Sequence, residues 1–335
     1  MIDVAIDGRM TRRMSVGTRT YVRELLARLP RVASDVRVAS VDLGENFGVD
    51  EQVNLPRAIS ALGARAVHFP TTFAPLIRTR PYVVTIHDLI HLRYPESFGR
   101  ATALHYALVG GPLARGATRL VMGDERTVAD CERYLGVSSD RCRVVPLGYD
   151  DALLERDEPL GHPRPFLFYA GNHRAHKNLE ALCAAWTQLP MATECDLIMT
   201  GPEEPELRAC YSRINGQLIF AGDLSARDLR RHYRAAVAYV HPALWEGFGI
   251  PMLEAAVVGT PVIASVDAVP SIVAPFAATF APTDVGALTL LPESVVADPA
   301  PFLRRAAEGV APLRAYTWDR FAATTAAVYR EVLDS

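Results

Sequence analysis

The sequence predicts an α/β protein made of two doubly wound domains, each a parallel sheet with helices on both faces. Short apolar segments of strand length alternate with amphipathic segments of helix length over most of the 335 residues. A polar, proline-containing stretch at 148–165 interrupts this alternation, which restarts directly after it, so the stretch is the best linker candidate. A chain of this length can form two hydrophobic cores. We therefore predict domains at 1–150 and 165–315, followed by a terminal helical segment at 316–335.

The predicted strands are short, mainly apolar segments of three to six residues. In the first domain they are 2–6, 36–41, 66–69, 82–86, 119–122 and 143–145. In the second domain they are 166–170, 195–199, 217–220, 237–240 and 261–264. Strands this apolar are typical of parallel sheets, which are buried on both faces.

Helices are predicted where apolar residues recur every three or four positions. These intervals are 20–29, 102–113, 125–135, 178–189, 204–213, 225–235, 251–258 and 318–333. Ligands of doubly wound sheets bind beyond the carboxyl ends of the strands. Functional residues are therefore expected in the loops that follow strands.

Composition excludes several classes of protein. With 35 basic and 38 acidic residues the net charge is -3, so no global field attracts nucleic acid or an anionic membrane, although a peripheral membrane contact through a local patch stays open. The five cysteines form no Cys-x-x-Cys pair and fit neither a disulfide framework nor a zinc site. The first residues lack the pattern of a signal peptide. We expect a cytoplasmic protein without a metal, and the sequence leaves its oligomeric state open.

Lysine is almost absent from the chain. Of the 35 basic residues only Lys177 is a lysine, and the other 34 are arginine. A GC-rich coding background, as in a high-GC bacterium, explains the arginine bias. A position that retains lysine is then a candidate for one that needs a compact ammonium on a flexible stem, with chance as the alternative.

One stretch of the second domain runs from the end of a strand into a helix: residues 241–254, HPALWEGFGIPMLE. Gly247 and Gly249 allow backbone to approach a ligand closely, and the helix N-terminus favours an anion such as a diphosphate. Glu246 lies in the loop and Glu254 about one turn inside the helix. Carboxylates in these places are good acceptors for sugar hydroxyls, although a Glu-Gly pair alone is more often an ordinary solvated loop.

Together with 259–265, GTPVIAS, this stretch resembles the signature of the retaining glycosyltransferases of family four. These enzymes have the GT-B architecture, in which two Rossmann-like domains face each other across a cleft. The resemblance implies that Glu246 grips the donor sugar and Glu254 the ribose of the nucleotide. It also implies donor-binding roles for Gly247, Phe248 and Gly249.

The stretch 169–178, YAGNHRAHKN, resembles the loop after the first strand of the family's C-terminal domain, whose basic residues contact the donor diphosphate. Lys177 falls on the family's lysine position, so the resemblance makes it the main cation that neutralises the leaving nucleoside diphosphate. Arg174 is a second, weaker candidate for this role. A fixed cation there stabilises the charge that develops in the transition state. His176 stands where many relatives carry arginine.

Two segments of the first domain also resemble the family. Residues 83–90, VVTIHDLI, resemble the family segment in which a His-Asp pair ends a strand beside the sugar being transferred. The resemblance implies that His87 hydrogen-bonds the donor sugar or its reacting neighbourhood, and a satisfied structural histidine is the alternative. In 15–21, SVGTRTY, Gly17 corresponds to the glycine that permits close approach of the donor phosphates. The dinucleotide fingerprint Gly-x-Gly-x-x-Gly is absent there, so no nicotinamide or other cofactor is expected.

The resemblance implies transfer of a sugar from a nucleoside diphosphate sugar to an acceptor hydroxyl, with retention at the anomeric carbon. The acceptor hydroxyl attacks the face that the diphosphate leaves, and a diphosphate oxygen takes its proton. No Asp-x-Asp occurs in the chain, which favours metal independence. The acceptor is expected to be a glycan, a glycolipid or a secondary metabolite, selected by the loops at 46–56 and 71–80.

Two alternatives stay open at this point. A sugar-nucleotide epimerase of the same architecture would also bind a nucleoside diphosphate sugar between two such domains. A non-catalytic sugar-nucleotide-binding relative is mildly favoured by two departures from the family pattern, at 122–124 (MGD) and 270–271 (PS). By resemblance, the helix at 318–333 crosses back to brace the N-terminal domain.

Overall fold

The computed structural model describes residues 2–9, 15–43, 48–186, 195–211 and 217–335. Two compact units divide the chain: the first comprises Met1–Gly148 with Tyr316–Ser335, and the second comprises Tyr149–Ala315. Within the described residues each unit holds a six-stranded sheet in which every pairing is parallel. Parts of three predictions lie outside the described residues: the helix ends at 187–189 and 212–213, and the start of the loop at 46–56.

The sheet of the first unit has the order β2-β1-β3-β4-β5-β6. Its strands β1 to β6 are Val4–Asp7, Val38–Val41, Ala66–Phe69, Tyr82–Thr85, Arg119–Met122 and Cys142–Val144. Every residue of β1, β3 and β4 is buried, because helices cover both faces of the sheet. The strand order reverses between β1 and β3, which is the switch point at which sheets of this order bind ligands.

The helices of the first unit follow the predicted alternation. Helices α1 to α6 are Val16–Val32, Leu55–Ala61, Ile90–Arg93, Arg100–His105, Gly111–Gly116 and Glu125–Asp130. Wider π-type turns occupy Asp50–Asn54, Tyr106–Gly110 and Cys131–Leu135, so the predicted helix at 102–113 is one run of mixed helical type. Among the described residues, no helix has both the length and the apolarity needed to cross a membrane.

The helix at the end of the chain, Trp318–Leu333, packs on the first unit. The hydroxyl of Tyr329 lies 2.6 Å from Nδ1 of His68 on β3, and both residues are fully buried. At the surface, Glu331 accepts hydrogen bonds from Arg119 on β5 (2.9 Å) and Arg143 on β6 (2.7 Å). These contacts attach the end of the chain to the N-terminal sheet.

The sheet of the second unit has the order β9-β8-β7-β10-β11-β12. Its strands β7 to β12 are Phe166–Tyr169, Asp196–Met199, Leu218–Phe220, Ala238–His241, Val262–Ser265 and Ala278–Phe280. The chain runs outward from β7 to β9 and then returns to β10 on the other side of β7. The carboxyl ends of β7 and β10 therefore flank the switch point of this sheet.

Helices α7 to α12 of the second unit are Leu179–Trp186, Pro205–Tyr211, Ala226–Ala235, Ile250–Val257, Val285–Ala297 and Ala300–Leu313, and the terminal helix of the first unit is α13. Sequence patterns identify the first five strands of this unit but miss β12. That strand has three residues, of which the middle one, Thr279, is exposed, so its apolar pattern is too short to recognise.

The stretch predicted as a linker instead packs on the second unit. Arginines on α9 hold its backbone: Arg230 donates to the carbonyl of Ala152 and to the carboxylate of Asp157, and Arg234 donates to the carbonyl of Glu155 at 2.6 Å. The hydrophobic pattern does not reveal this arrangement, because guanidinium groups rather than apolar side chains satisfy the irregular backbone.

Candidate functional site

The loops that follow β7 and β10 are joined directly by hydrogen bonds. The backbone N–H of Leu244 donates to the carbonyl of His176 at 2.8 Å. The side-chain amide of Asn178 donates to the carbonyls of Pro242 and Pro282, both at 3.1 Å. Asn178 has a φ of 57°, in the left-handed region that asparagine tolerates better than most residues. One asparagine thus connects the loop after β7 with the loops after β10 and β12.

Replacing Asn178 by alanine should destabilise the second unit by about 2–3 kcal/mol, because two hydrogen bonds are lost and alanine is strained at a positive φ. Asn178→Gly is the matched control, since glycine removes the same hydrogen bonds without the strain. We expect urea unfolding to place the glycine variant between the alanine variant and the wild type. A glycine variant as stable as the wild type would show that the two hydrogen bonds contribute nothing.

These loops bring Lys177 and Glu246 together. The ammonium of Lys177, on a side chain only 10% exposed, hydrogen-bonds to Oε1 of Glu246. Nε2 of His241, the last residue of β10, lies 2.9 Å from the same oxygen. Burial alone would raise the pKa of Glu246, but Lys177 and His241 outweigh it and hold that pKa well below its usual range. Glu246 is therefore ionised, and within the described part of the chain no residue bonds its other oxygen, Oε2.

Glu254 lies on α10 in a different environment. Burial raises the pKa of its carboxyl to about 7, and the hydrogen bond from the hydroxyl of Tyr233 (3.1 Å) opposes this only in part. Tyr233 is itself fully buried on α9. The two glutamates that the sequence singles out thus differ in charge behaviour: Glu246 is held ionised, whereas Glu254 titrates near neutral pH.

The N-terminus of α10 presents backbone donors. No described residue accepts a hydrogen bond from the N–H groups of Phe248, Gly249 or Ile250. Gly249 has a φ of 82°, in the left-handed region where a residue with a Cβ is strained, so the backbone here favours glycine. Donors arranged in this way at a helix N-terminus favour an anion.

The second predicted cation differs from the first. The side chain of Arg174 is exposed, and no described residue pairs with its guanidinium. Lys177, by contrast, is buried and paired with Glu246. Arg174 is therefore available to an anion without breaking a contact, whereas Lys177 has to leave Glu246.

Gly17 lies in the first turn of α1, one residue inside the helix rather than in the loop before it. Ser15 is the N-cap, and its hydroxyl accepts from the N–H of Thr18 at 3.4 Å. A Cβ on Gly17 would meet no atom of the described residues within 4 Å. Packing within the first unit does not require glycine here, and the position leaves room for another group.

His87 lies two residues beyond the end of β4 in the first unit. Its ring contacts the ring of Tyr21 edge-on, with centroids 5.0 Å apart. Burial lowers the pKa of His87, and the carbonyl of Pro70 accepts one of its ring N–H groups. Nε2 is buried and finds no partner among the described residues. A neutral ring that donates through Nδ1 presents Nε2 as an acceptor for a hydroxyl hydrogen.

The structure thus places Gly17 and His87 in the first unit and the other predicted site residues in the second. Convergence of the two sets stays a prediction. Sequence reasoning missed Tyr21, Tyr233 and His241, which contact His87, Glu254 and Glu246 respectively. It also missed Tyr239, which contacts His241. The available signal was alternation, since residues 239 and 241 share one face of β10.

Comparison with known proteins supports the predicted resemblance of the second unit to glycosyltransferases. Residues 151–308 match the family model for glycosyl transferases group 1. The O-antigen chain mannosyltransferase B of Escherichia coli is 28% identical over 173 residues, which are 49% of this chain and 45% of that enzyme. The chain therefore spans less than half the length of this curated relative.

Solved structures resemble the whole chain. Sucrose-phosphate synthase from Thermosynechococcus elongatus has a TM-score of 0.74 at 20% identity, and the match covers 100% of both chains. HepE from Anabaena, solved in complex with UDP-glucose, has a TM-score of 0.70 at 15% identity, covering 98% of this chain and 100% of HepE. Likeness at these identities shows a shared fold.

Proposed function

The chain has the predicted GT-B fold and carries a glycosyl transferases group 1 domain, and from this premise we propose that it transfers a sugar from a nucleoside diphosphate sugar to an acceptor hydroxyl. The observation that carries the proposal is the switch point of the second unit. There a buried ammonium, an ionised carboxylate and the open N–H groups of a helix N-terminus follow β7 and β10. The mannosyltransferase of E. coli and the UDP-glucose complex of HepE point to the same class of donor.

Lys177 has the main electrostatic role in this proposal. Cleavage of the glycosyl–phosphate bond leaves negative charge on the diphosphate, and a fixed cation in a partly buried site stabilises that charge. Its ammonium exchanges Glu246 for the diphosphate when donor binds, while Arg174 and the N–H groups at the start of α10 bind the remaining phosphate oxygens.

The glutamates bind the two ends of the donor. Glu246 accepts from hydroxyls of the donor sugar through Oε2, the oxygen that no described residue occupies. Glu254 accepts from the ribose hydroxyls. His87, whose buried Nε2 finds no partner among the described residues, stays a predicted ligand of the donor sugar.

Retention at the anomeric carbon follows from a front-face route. Glu246 is a poor nucleophile in the donor complex, because His241 binds its Oε1 and stabilises its charge while Oε2 accepts from the hydroxyls of the sugar. The acceptor oxygen instead forms its bond to the anomeric carbon on the face where the bond to the diphosphate breaks, and the acceptor proton passes to a diphosphate oxygen. Catalysis then depends on positioning and charge stabilisation, with Lys177 in the place that a metal ion takes in other glycosyltransferases. Resemblance to family four supports this route and its metal independence.

Binding of the sugar nucleotide should weaken as the pH falls. Because burial raises the pKa of Glu254 to about 7, protonation below that pH removes the carboxylate that accepts from ribose, and affinity falls by up to about tenfold per pH unit. Calorimetry with a sugar conjugate across neutral pH measures this slope. Glu254→Gln is the control, and we expect it to bind the conjugate more weakly and with a flatter pH dependence. An unchanged slope would show that another group causes the pH dependence.

Ligand panels test the proposed function. We expect one family of UDP, GDP or ADP conjugates with glucose or mannose to raise the unfolding temperature, since ligands of the native state stabilise it by mass action. Incubation of that donor with glycan, glycolipid and secondary-metabolite acceptors, in the presence of EDTA, should give a product that NMR shows to have the donor's anomeric configuration. Isomerised sugar nucleotide without acceptor, or binding without any transfer, would contradict the proposal.

A further inference from the structure

A series of buried, hydrogen-bonded side chains leads from Oε1 of Glu246 into the second unit. His241 is 1% exposed, and its ring stacks on Tyr169 of β7 (centroids 5.7 Å apart, planes at 25°) and on Tyr239 of its own strand (5.8 Å, 24°). Its Nε2 lies 2.9 Å from Oε1 of Glu246, and its Nδ1 lies 2.8 Å from the hydroxyl of Tyr239. Two stacked rings and two hydrogen bonds therefore hold the imidazole in one orientation.

Counting protons along these hydrogen bonds shows which charge state of His241 completes all of them. The hydroxyl of Tyr239 is 3.0 Å from the carbonyl of Ala170, and a carbonyl only accepts, so Tyr239 donates its single proton there. The tyrosine oxygen then accepts from Nδ1–H of His241. A second proton, on Nε2, is needed for the hydrogen bond to Glu246. All three hydrogen bonds form together only when His241 is an imidazolium.

The groups around His241 have opposing effects on its pKa. Burial has the largest effect on the pKa of His241 and lowers it, the carboxylate of Glu246 raises it, and the ammonium of Lys177 lowers it again. The net effect is a pKa below the usual value, so the ring is mainly neutral at neutral pH before a donor binds, and protonation completes the set of three hydrogen bonds. The two stacked tyrosines stay neutral, because burial raises the pKa of Tyr169 and of Tyr239. Among the groups that face the imidazole, Lys177 has the long flexible side chain, so its ammonium can move away while the others stay in place.

Donor binding changes this balance. When Lys177 turns to the diphosphate, Glu246 loses one of its two partners on Oε1, and the cation that disfavours the proton on His241 moves away. His241 cannot follow, because β10 and the stacked rings fix it. It becomes the remaining cationic partner of Glu246 at the moment when Oε2 must face the sugar.

We propose that His241 is a positioning residue that holds the Glu246 carboxylate in its sugar-binding orientation while Lys177 is engaged with the donor diphosphate. The inference rests on the proposed function, because it assumes that a diphosphate draws Lys177 away. It assigns a role to a residue that touches neither the diphosphate nor the reacting atoms. Tyr239 supports it by accepting from Nδ1.

Calorimetry on the full chain tests the inference with GDP, UDP, GDP-mannose and UDP-glucose as probes. His241→Phe keeps the ring volume and the stacking but cannot donate, so affinity for the bound sugar conjugate should fall by about tenfold or more, as for loss of a hydrogen bond to a charged group. Affinity for the corresponding bare diphosphate should fall less than affinity for the conjugate, because the diphosphate does not contact Glu246 and loses only the charge that His241 supplies when Lys177 leaves. His241→Gln, whose amide can donate to Oε1, should recover most of the loss.

Proton uptake gives a readout that a purely structural role would not move. Binding heats in two buffers of different ionisation enthalpy report the protons taken up with the diphosphate. We expect the wild type to take up more protons than His241→Phe, since the pKa of His241 rises as Lys177 leaves. His232→Phe is the matched control: this histidine stacks on Phe168 in the same unit (5.3 Å, 30°) and donates to the backbone of its own helix, so neither readout should change.

The possible results distinguish failure of this inference from failure of the proposed function. If the wild type binds sugar conjugates and His241→Phe binds them equally well, the inference is overturned and the proposed function stands. If the wild type binds none of the UDP, GDP and ADP conjugates of the donor panel, both fall. If His241→Phe fails to fold, Tyr239→Phe serves as the test, because it removes the acceptor of Nδ1–H and keeps the aromatic ring. We expect this variant to weaken binding of the conjugate more than binding of the bare diphosphate. Equal loss of affinity for the two ligands overturns the inference.

Discussion

Replacing Lys177 by alanine is expected to lower kcat for sugar transfer by about 100-fold to 1,000-fold. This ammonium is the buried cation at the carboxyl ends of β7 and β10, and no other lysine exists in the chain to replace it. Stability should change far less, because His241 remains to pair with Glu246. Single-turnover rates measured beside thermal unfolding separate the two effects.

Two further variants sharpen this test. Lys177→Arg keeps the charge but places a planar guanidinium in a site built for a compact ammonium, so it should recover only part of the rate. Arg174→Ala removes an exposed cation and should cost less than Lys177→Ala. An unchanged rate in Lys177→Ala, with donor binding intact, would contradict the electrostatic role.

Replacing Glu246 by glutamine should weaken binding of the sugar conjugate by about tenfold or more, because a charged acceptor of sugar hydroxyls is lost. Binding of the bare diphosphate should stay the same or tighten, since Lys177 no longer has an anionic partner to leave. Discrimination between donor sugars should fall with it. Calorimetry with a diphosphate and its conjugates measures both changes.

The opposite behaviour of the two ligands is the diagnostic result. A variant that had lost local structure would bind both of them more weakly. Equal loss of affinity for diphosphate and conjugate would therefore argue that Glu246 supports the loop rather than the sugar. Glu254→Gln provides the contrast, because it should weaken both ligands through the ribose that they share.

Much of the fold was predictable because its signals are local. Strands β3 and β5 have the predicted bounds, and the others differ at their ends by one or two residues. β12 escapes the sequence pattern because exposed Thr279 lies at the middle of its three residues. The composition of the segment before β7 predicts a linker, because the arginines of α9 that bind this segment lie more than seventy residues away in sequence.

The candidate site also has features that the sequence predicts and features that it does not. The pattern around Glu246, the lone Lys177 and the His-Asp pair containing His87 are visible in the sequence because each lies within a short motif. The left-handed conformation of Asn178 and its two long-range acceptors carry no such signal. The same is true of Tyr233, which reaches Glu254 from the preceding helix.

By itself the sequence determined the alternation of strands and helices, the two parallel sheets and the residue types at the ends of β7 and β10, because periodicity and motif spacing are properties of neighbouring residues. Only the tertiary structure decided that β7 and β10 lie side by side. Strand order depends on long-range pairing, and that pairing brings Lys177 and Glu246, 69 residues apart, onto one carboxylate oxygen with His241 behind it.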